Sequence, residues 1–153
     1  MKKNAYFEEF ARVCEEWTRK HDAHKAAKQS IIDAFGWDSD ELKAWYAEKE
    51  QMTFPFSQGT CKAYRAWRYS EGDEVIMEDF TWDAERHDFI ETLRKAGIET
   101  FVVTNASTGL MTDLHGYAAE GCEMLGLCAI AKKTHRFGED KEERIMGVRF
   151  KVC

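Results

Sequence analysis

Proline is almost missing from this 153-residue chain, which has only Pro55. With so few enforced breaks, glycines and polar caps must decide where its helices stop. Long apolar runs are missing too. None approaches the roughly 20 residues a membrane span needs, and the opening MKKNAYFEEF lacks an apolar signal core. The expectation is a cytoplasmic protein with no membrane partner. An excess of positive charge is also lacking: 22 Lys and Arg against 28 Asp and Glu leave a net charge of −6. That disfavours direct binding to nucleic-acid phosphates. Finally, there is no C-x-x-C pair. The five cysteines, Cys14, Cys61, Cys122, Cys128 and Cys153, are odd in number and scattered, which predicts reduced thiols and not a disulfide frame.

What is present is the profile of a globular domain, 44% apolar and 33% charged. The length predicts one domain, 1–153, with a helical layer over 1–50, a joint and a short basic-aromatic segment over 51–73, and a β-α-β-α-β-β unit over 74–153. Asn4 is placed to cap a first helix whose Tyr6, Phe10, Val13 and Trp17 recur at helical spacing. The same step count reaches His21 and His24, so the stripe turns from apolar to imidazole on one face. Ile31, Ile32 and Phe35 extend that helix or form a second, stopped at Gly36. Asp38 or Ser39 caps a further helix carrying Leu42, Trp45 and Tyr46.

After the MTFPFSQG joint, CKAYRAWRY reads as a short helix, and Val75 to Phe80 as a strand. Asp83 is placed to cap a helix with Phe89, Ile90 and Leu93 inward, ended by Gly97. Ile98, Phe101, Val102 and Val103 lead into a strand that ends at Thr104-Asn105. Ser107 or Thr108 then caps a helix stopped at Gly121. Met124 to Ile130 is apolar at every second position on both alternations, the pattern of a strand covered on both sides. Lys132 to Glu143 reads as a charged connection around Gly138. Ile145 to Val152 closes the chain as a strand with Met146, Val148, Phe150 and Val152 on one face. Two crossovers predict parallel neighbours, and the last two strands an antiparallel hairpin. The fold class is α+β, with an N-terminal helical layer packed on a small mixed sheet.

Two stretches carry the chemistry. Lys62, Tyr64, Arg65, Trp67 and Arg68 interleave cations with aromatic planes, the composition of an interface anchor set. Thr104, Asn105, Ser107 and Thr108 lie where a strand meets a helix start, and free N–H groups there favour an anion. The glycine spacing of a nucleotide loop is missing. His21 and His24 have a spacing that can place two imidazoles on one metal. His115, Cys122, Cys128 and His135 make a second series, yet the cysteines fit equally well as small buried residues. For the His21–His24 pair a third ligand would have to come from elsewhere, such as Cys14, which the spacing does not single out, so no metal and no cofactor is expected. No Ser-His-Asp order is present, and no catalytic residue is assigned.

The run LRKAGIETFVVTNAS is similar to the second motif of haloacid-dehalogenase-type phosphatases. That family also requires an Asp nucleophile in a D-x-D pair. The earlier strand here ends MEDFTW, with Asp79 but no second Asp two residues on, so the likeness is set aside. Over nearly the full length, EFARVCEEWTRKHDAHKA, GWDSDELKAWYAEKE, CKAYRAW, TLRKAGIETF, LHGYAAEGCEMLGLC and MGVRFKV resemble a family of small uncharacterised proteins. These are carried by Gram-positive gut bacteria, often on phage or mobile elements. The resemblance implies no site residues. It implies a context in which accessory proteins antagonise or adapt nucleic-acid machinery, including host defence nucleases, as anti-CRISPR proteins do. The expected function is therefore a non-enzymatic protein-interaction domain whose partner is such an enzyme. The alternative is a small phosphate- or nucleotide-handling domain working from the Thr104–Gly109 turn.

Overall fold

The computed structural model describes residues 2–104 and 109–153. The chain forms two compact units, Lys3–Phe56 and Ser57–Cys153, the latter joined by Lys2. Among the described residues, five helices and a four-stranded mixed sheet make an α+β fold with an N-terminal helical part. No helix there is long and apolar enough to cross a membrane.

The first unit holds α1 (Ala5–Phe35) and α2 (Asp40–Gln51). The Asn4 side chain accepts the Phe7 N–H, and α1 runs unbroken through Ile31 and Ile32 to Gly36, at φ 88°. Of the two expected caps for α2, Ser39 is the one used, accepting from Leu42 N. The imidazole end of the α1 stripe is spent on stacking. His21 lies on Trp17 at 4.7 Å and His24 on Trp45 at 4.5 Å, and Trp45 donates its indole N–H to the His24 carbonyl at 2.7 Å.

In the second unit come α3 (Gln58–Tyr69), β1 (Val75–Met77), α4 (Asp83–Lys95), β2 (Thr100–Val103), α5 (Leu110–Ala119), β3 (Glu123–Arg136) and β4 (Glu139–Lys151). β1 is shorter than the Val75–Phe80 expected. Asp83 is not the cap of α4 but its first residue. Trp82 takes the cap position, and the Glu85 carboxylate three residues on accepts its N–H at 3.0 Å. Asp83 instead accepts from the guanidinium of Arg86, three residues on. The helix stops fall where expected. At Gly97 (φ 75°), Ile98 N–H reaches Leu93 O and Gly97 N–H reaches Arg94 O; at Gly121 (φ 98°), Cys122 and Gly121 repeat the pattern on Tyr117 and Ala118. That pair of bonds satisfies carbonyls the helix leaves open and requires the left-handed residue that glycine supplies at least cost.

The sheet order is β1-β2-β4-β3. β1 and β2 are parallel neighbours joined through α4, as expected. The second crossover differs. β3 runs in the direction of β2 but is not beside it, because β4 inserts between them, antiparallel to both. Phe101 and Phe150 stack at 5.5 Å on one face, where Tyr117 of α5 meets both and Phe89 of α4 meets Phe101 and Tyr117. Each ring buried there contributes roughly 1.5–3 kcal/mol.

The stretch Lys132 to Glu143 is not a connection. It is the outer half of a long β3–β4 hairpin that turns at Phe137-Gly138, both with positive φ, as a two-residue type I′ turn demands. Its charges are complementary across the ladder: Lys132 faces Glu143, Lys133 faces Glu142, and Arg136 faces Glu139. Opposite charges directly across an antiparallel pair are stabilising, which is why a charged run forms strand here. The inner half departs from expectation as well. Met124 to Ile130 is not covered on both sides: it forms the sheet edge, with Leu127 76% exposed.

Candidate functional site: the α3 face and the groove beside it

The Ser57 hydroxyl caps α3 by accepting from Thr60 N at 3.3 Å. The helix then turns its small residues inward. Gly59, Ala63 and Ala66 are buried, and Gly59 lies so close to α4 that a Cβ would fall 2.2 Å from the Glu85 carbonyl oxygen. That packing decides which of the interface candidates look out. Arg65, Arg68 and Tyr69 are exposed, Tyr69 at 76%. They stand three and four residues apart, so they form one strip along the helix.

Tyr64 and Trp67 are half-buried, their rings 6.1 Å apart. Lys62 points inward. Its ammonium donates to the Phe80 carbonyl at 2.8 Å and to the Glu85 carboxylate at 2.7 Å. Burial alone would raise the Glu85 carboxyl, but the Lys62 ammonium and the Trp82 N–H outweigh it and hold it below the ordinary range. Lys62 thus pins α3 to α4. Burial also pushes the Cys61 thiol up, away from the reactive range.

Beside the exposed strip opens a groove of about 390 Å³. Its apolar lining includes Ile76, Ile130 and Ile145. Arg65, Lys132 and Lys133 bring positive charge to it, and Glu71, Glu78 and Asp79 bring negative charge. Lys132 pairs with Glu78 at 3.0 Å and Lys133 with Glu71 at 3.9 Å, so the outer hairpin is tied to the segments flanking β1. Arg149 adds a third tie, to Glu74 at 2.6 Å. All are solvent-accessible pairs, worth about 0–1 kcal/mol each. The groove offers apolar contact with both signs of charge, which suits a polypeptide segment better than a polyanion.

A polar cluster of different character lies on the Phe101–Phe150 face of the sheet, which Tyr117 meets. Arg86, Asp113, Thr81 and Tyr117 are all buried. Asp113 Oδ1 accepts from Thr81 Oγ1 at 2.7 Å, Thr81 N at 3.2 Å and Arg86 Nη2 at 3.1 Å. Arg86 Nη2 also donates to the Thr81 carbonyl at 2.7 Å, and Thr81 Oγ1 lies 2.9 Å from the Tyr117 hydroxyl. Burial pushes the Tyr117 phenol well above its ordinary range. Gly116 carries no Cβ because one would fall 2.3 Å from the Arg86 guanidinium. Charge here is matched by partners on every side, the arrangement of a structural lock that joins α4, α5 and the segment after β1.

The residues expected to bind an anion are only partly described. Thr104 closes β2 and donates its N–H to Met77 O at 3.0 Å. Asn105, Ser107 and Thr108 lie outside the described residues, and Gly109 takes the cap position of α5. Among the described residues no group of three or more His, Cys, Asp or Glu could hold a metal.

Residues 59–152, from the first turn of α3 to the end of β4, match a family model described as a domain of unknown function, DUF7698. The chain belongs to the DUF7698 family. The match takes in the strip, the groove, the polar lock and the hairpin, and leaves α1 and α2 outside. No curated protein and no solved structure matches the chain. Within the DUF7698 region, the candidate set drawn from sequence left out the exposed Tyr69, and the exposed apolar half of the hairpin was read as covered. For Tyr69 the signal was its spacing, four residues after Arg65 on the same side of α3.

Proposed function

We propose that this protein is a non-enzymatic protein-interaction domain, and that α3 with its groove is where the partner docks. The observation that carries the reading is the strip of Arg65, Arg68 and Tyr69, exposed on a helix whose small residues are locked onto α4. Arginine and tyrosine on a rigid support are the residue types from which interfaces draw most of their energy, since little order is lost on binding. Acidic side chains surround the strip. Glu71, Asp73, Glu78 and Asp79 are exposed nearby in sequence, and net charge −6 adds a long-range field. Such a surface steers association with a basic partner.

The partner proposed is a nuclease or another nucleic-acid enzyme with a basic groove, and the role is that of an inhibitor or adaptor carried by a mobile element. Its support is the resemblance set out above and the acidic balance of the chain. The reading is tested by capturing the partner from the native host with the wild-type chain, then repeating with Arg65→Ala, Arg68→Ala and Tyr69→Ala combined. The variant should lose the partner while its melting temperature stays within a few degrees. Equal capture by both chains rejects the docking surface.

The second reading is a phosphate- or nucleotide-handling site at the Thr104–Gly109 turn. What favours it is that β1 and β2 are parallel and end side by side there, the place where ligands sit in open parallel sheets. It predicts the converse pattern: Thr104→Ala abolishes activity and the α3 triple variant retains it.

A further inference from the structure

Strand β3 has a pattern that calls for more cover than its own chain supplies. From Met124 to Ala131 it carries no charged side chain, yet it is the edge of the sheet, paired on one side only. Met124 lies opposite Phe150, and Leu127 opposite Val148, so both belong to the face that holds the aromatic core. Phe150 and Val148 are buried on that face, whereas Met124 is 51% and Leu127 76% exposed, beside Met146 at 63%.

The free backbone groups fall on the same residues. In a two-residue hairpin the pair flanking the turn, here Arg136 and Glu139, exchanges hydrogen bonds, and bonded pairs alternate from there. By that count Cys128 and Ile130 bond to β4, while Leu127, Ala129 and Ala131 turn their N–H and C=O groups outward. The Val152 N–H donating to the Glu99 carbonyl at 2.8 Å fixes the same phase from the β2 side of β4. Edge strands are ordinarily protected by charge, bulges or cover. The outer half of β3 is protected by Lys132, Lys133 and Arg136. The inner half has one bulge, between Met124 and Gly126, and nothing after it.

We propose that β3 pairs antiparallel with β3 of a second copy of this chain, joining two four-stranded sheets into one across a twofold axis near Cys128 and Ala129. Charge favours this occupant. The strand is acidic at its start, Glu123, and basic toward its end, Lys132 and Lys133. Antiparallel self-pairing brings each Glu123 toward the other copy's lysines and sets the uncharged stretches against each other. The twofold keeps the two aromatic-core faces on one side of the joined sheet, so Met124, Leu127 and Met146 of both copies share a single apolar surface. The contact is self-complementary and closes at two.

Sedimentation equilibrium of the full chain tests this. The expected result is a concentration-dependent monomer–dimer equilibrium at micromolar to millimolar protein. Ala129→Pro removes one outward N–H without touching the β3–β4 ladder, and Leu127→Lys places a charge in the apolar contact. Each should weaken the dimer at least about tenfold, the equivalent of ~1.4 kcal/mol, with the far-ultraviolet circular dichroism unchanged. If Ala129→Pro disturbs the fold, Leu127→Lys alone decides. A wild-type chain that stays monomeric throughout overturns the proposal. So does a dimer that the folded variants leave intact, or assembly into open-ended oligomers.

Discussion

Strand β2 and the inner half of strand β3 are both apolar and end in opposite settings. β2 is TFVV, and Phe101, Val102 and Val103 are completely buried. The inner half of β3 is MLGLCAIA, yet Leu127 is 76% exposed and Met124 51%. The difference is one of neighbours. β2 has β1 on one side and β4 on the other, with the Phe89–Tyr117–Phe150 cluster over Phe101. β3 has β4 alone. Apolar character states that a strand wants cover. Whether its own chain supplies the cover is decided by where later segments insert.

The sharpest test of that contrast compares truncations in the two strands. Phe101→Ala should cost about 3–5 kcal/mol through lost transfer energy and the cavity left among the rings of Phe89, Tyr117 and Phe150. Leu127→Ala, measured by denaturant unfolding at a concentration that keeps the chain monomeric, should stay within about 0.5 kcal/mol. Equal costs would mean that β3 is covered within one copy.

A polar version of the contrast follows. Asp113→Ala leaves the Arg86 guanidinium buried without its main acceptor and should cost about 3–5 kcal/mol. Glu78→Gln breaks the accessible pair to Lys132 that steadies the hairpin and should cost about 0–1 kcal/mol. A reversal of that order, read from urea midpoints, would move the structural weight from the lock to the hairpin.

At the junction leading into β3, Gly121→Ala forces a side chain into φ 98° and should cost about 1 kcal/mol. A neutral result would show that α5 ends elsewhere and that β3 starts in another register.

The Lys62–Glu85 pair on the α3–α4 side gives a pH signature. Its carboxyl is held below its unfolded value, so Glu85 contributes stability that is fully present above the ordinary carboxylate range and is lost as pH falls through the folded value. The stability gap between wild type and Glu85→Gln should therefore be present at neutral pH and close on acidification. A gap that widens below the carboxylate range would contradict the pairing.

The smallest effect is chemical. Cys122, buried at the foot of β3, has its thiol pushed up to about 12 by burial and by Cys153, whose sulfur is 3.4 Å away. Alkylation at pH 8, followed by mass spectrometry, should modify the exposed Cys153 well before Cys122.

Much of the fold was legible from local signals. The Asn4 cap, a cap at Asp38 or Ser39, the stops at Gly36, Gly97 and Gly121, the inward Phe89, Ile90 and Leu93, and the α4–β2–α5 succession all rest on periodicity and on backbone groups that a nearby residue satisfies. The hairpin was partly legible, since opposite charges mirror one another about Phe137-Gly138, but reading them requires pairing residues across the turn and not along it. The candidate site was legible only as a segment. The basic-aromatic run 62–69 is indeed a helix, but its sequence alone does not say that Lys62 is drawn in by Glu85, 23 residues later, while Arg65, Arg68 and Tyr69 face out.

By itself, then, the sequence determined most of the segments that become helix or strand, where most helices end, and that the chain is α+β. Those choices are local: they depend on spacing, on side-chain shape and on caps within a turn or two. Only the tertiary structure decided that β4 lies between β2 and β3, that Arg86 meets Asp113 27 residues away, and that an apolar strand lies at an edge. Each of these depends on contacts between distant segments that compete for the same partner. No residue carries the outcome of that competition, because it is settled by the difference between whole arrangements.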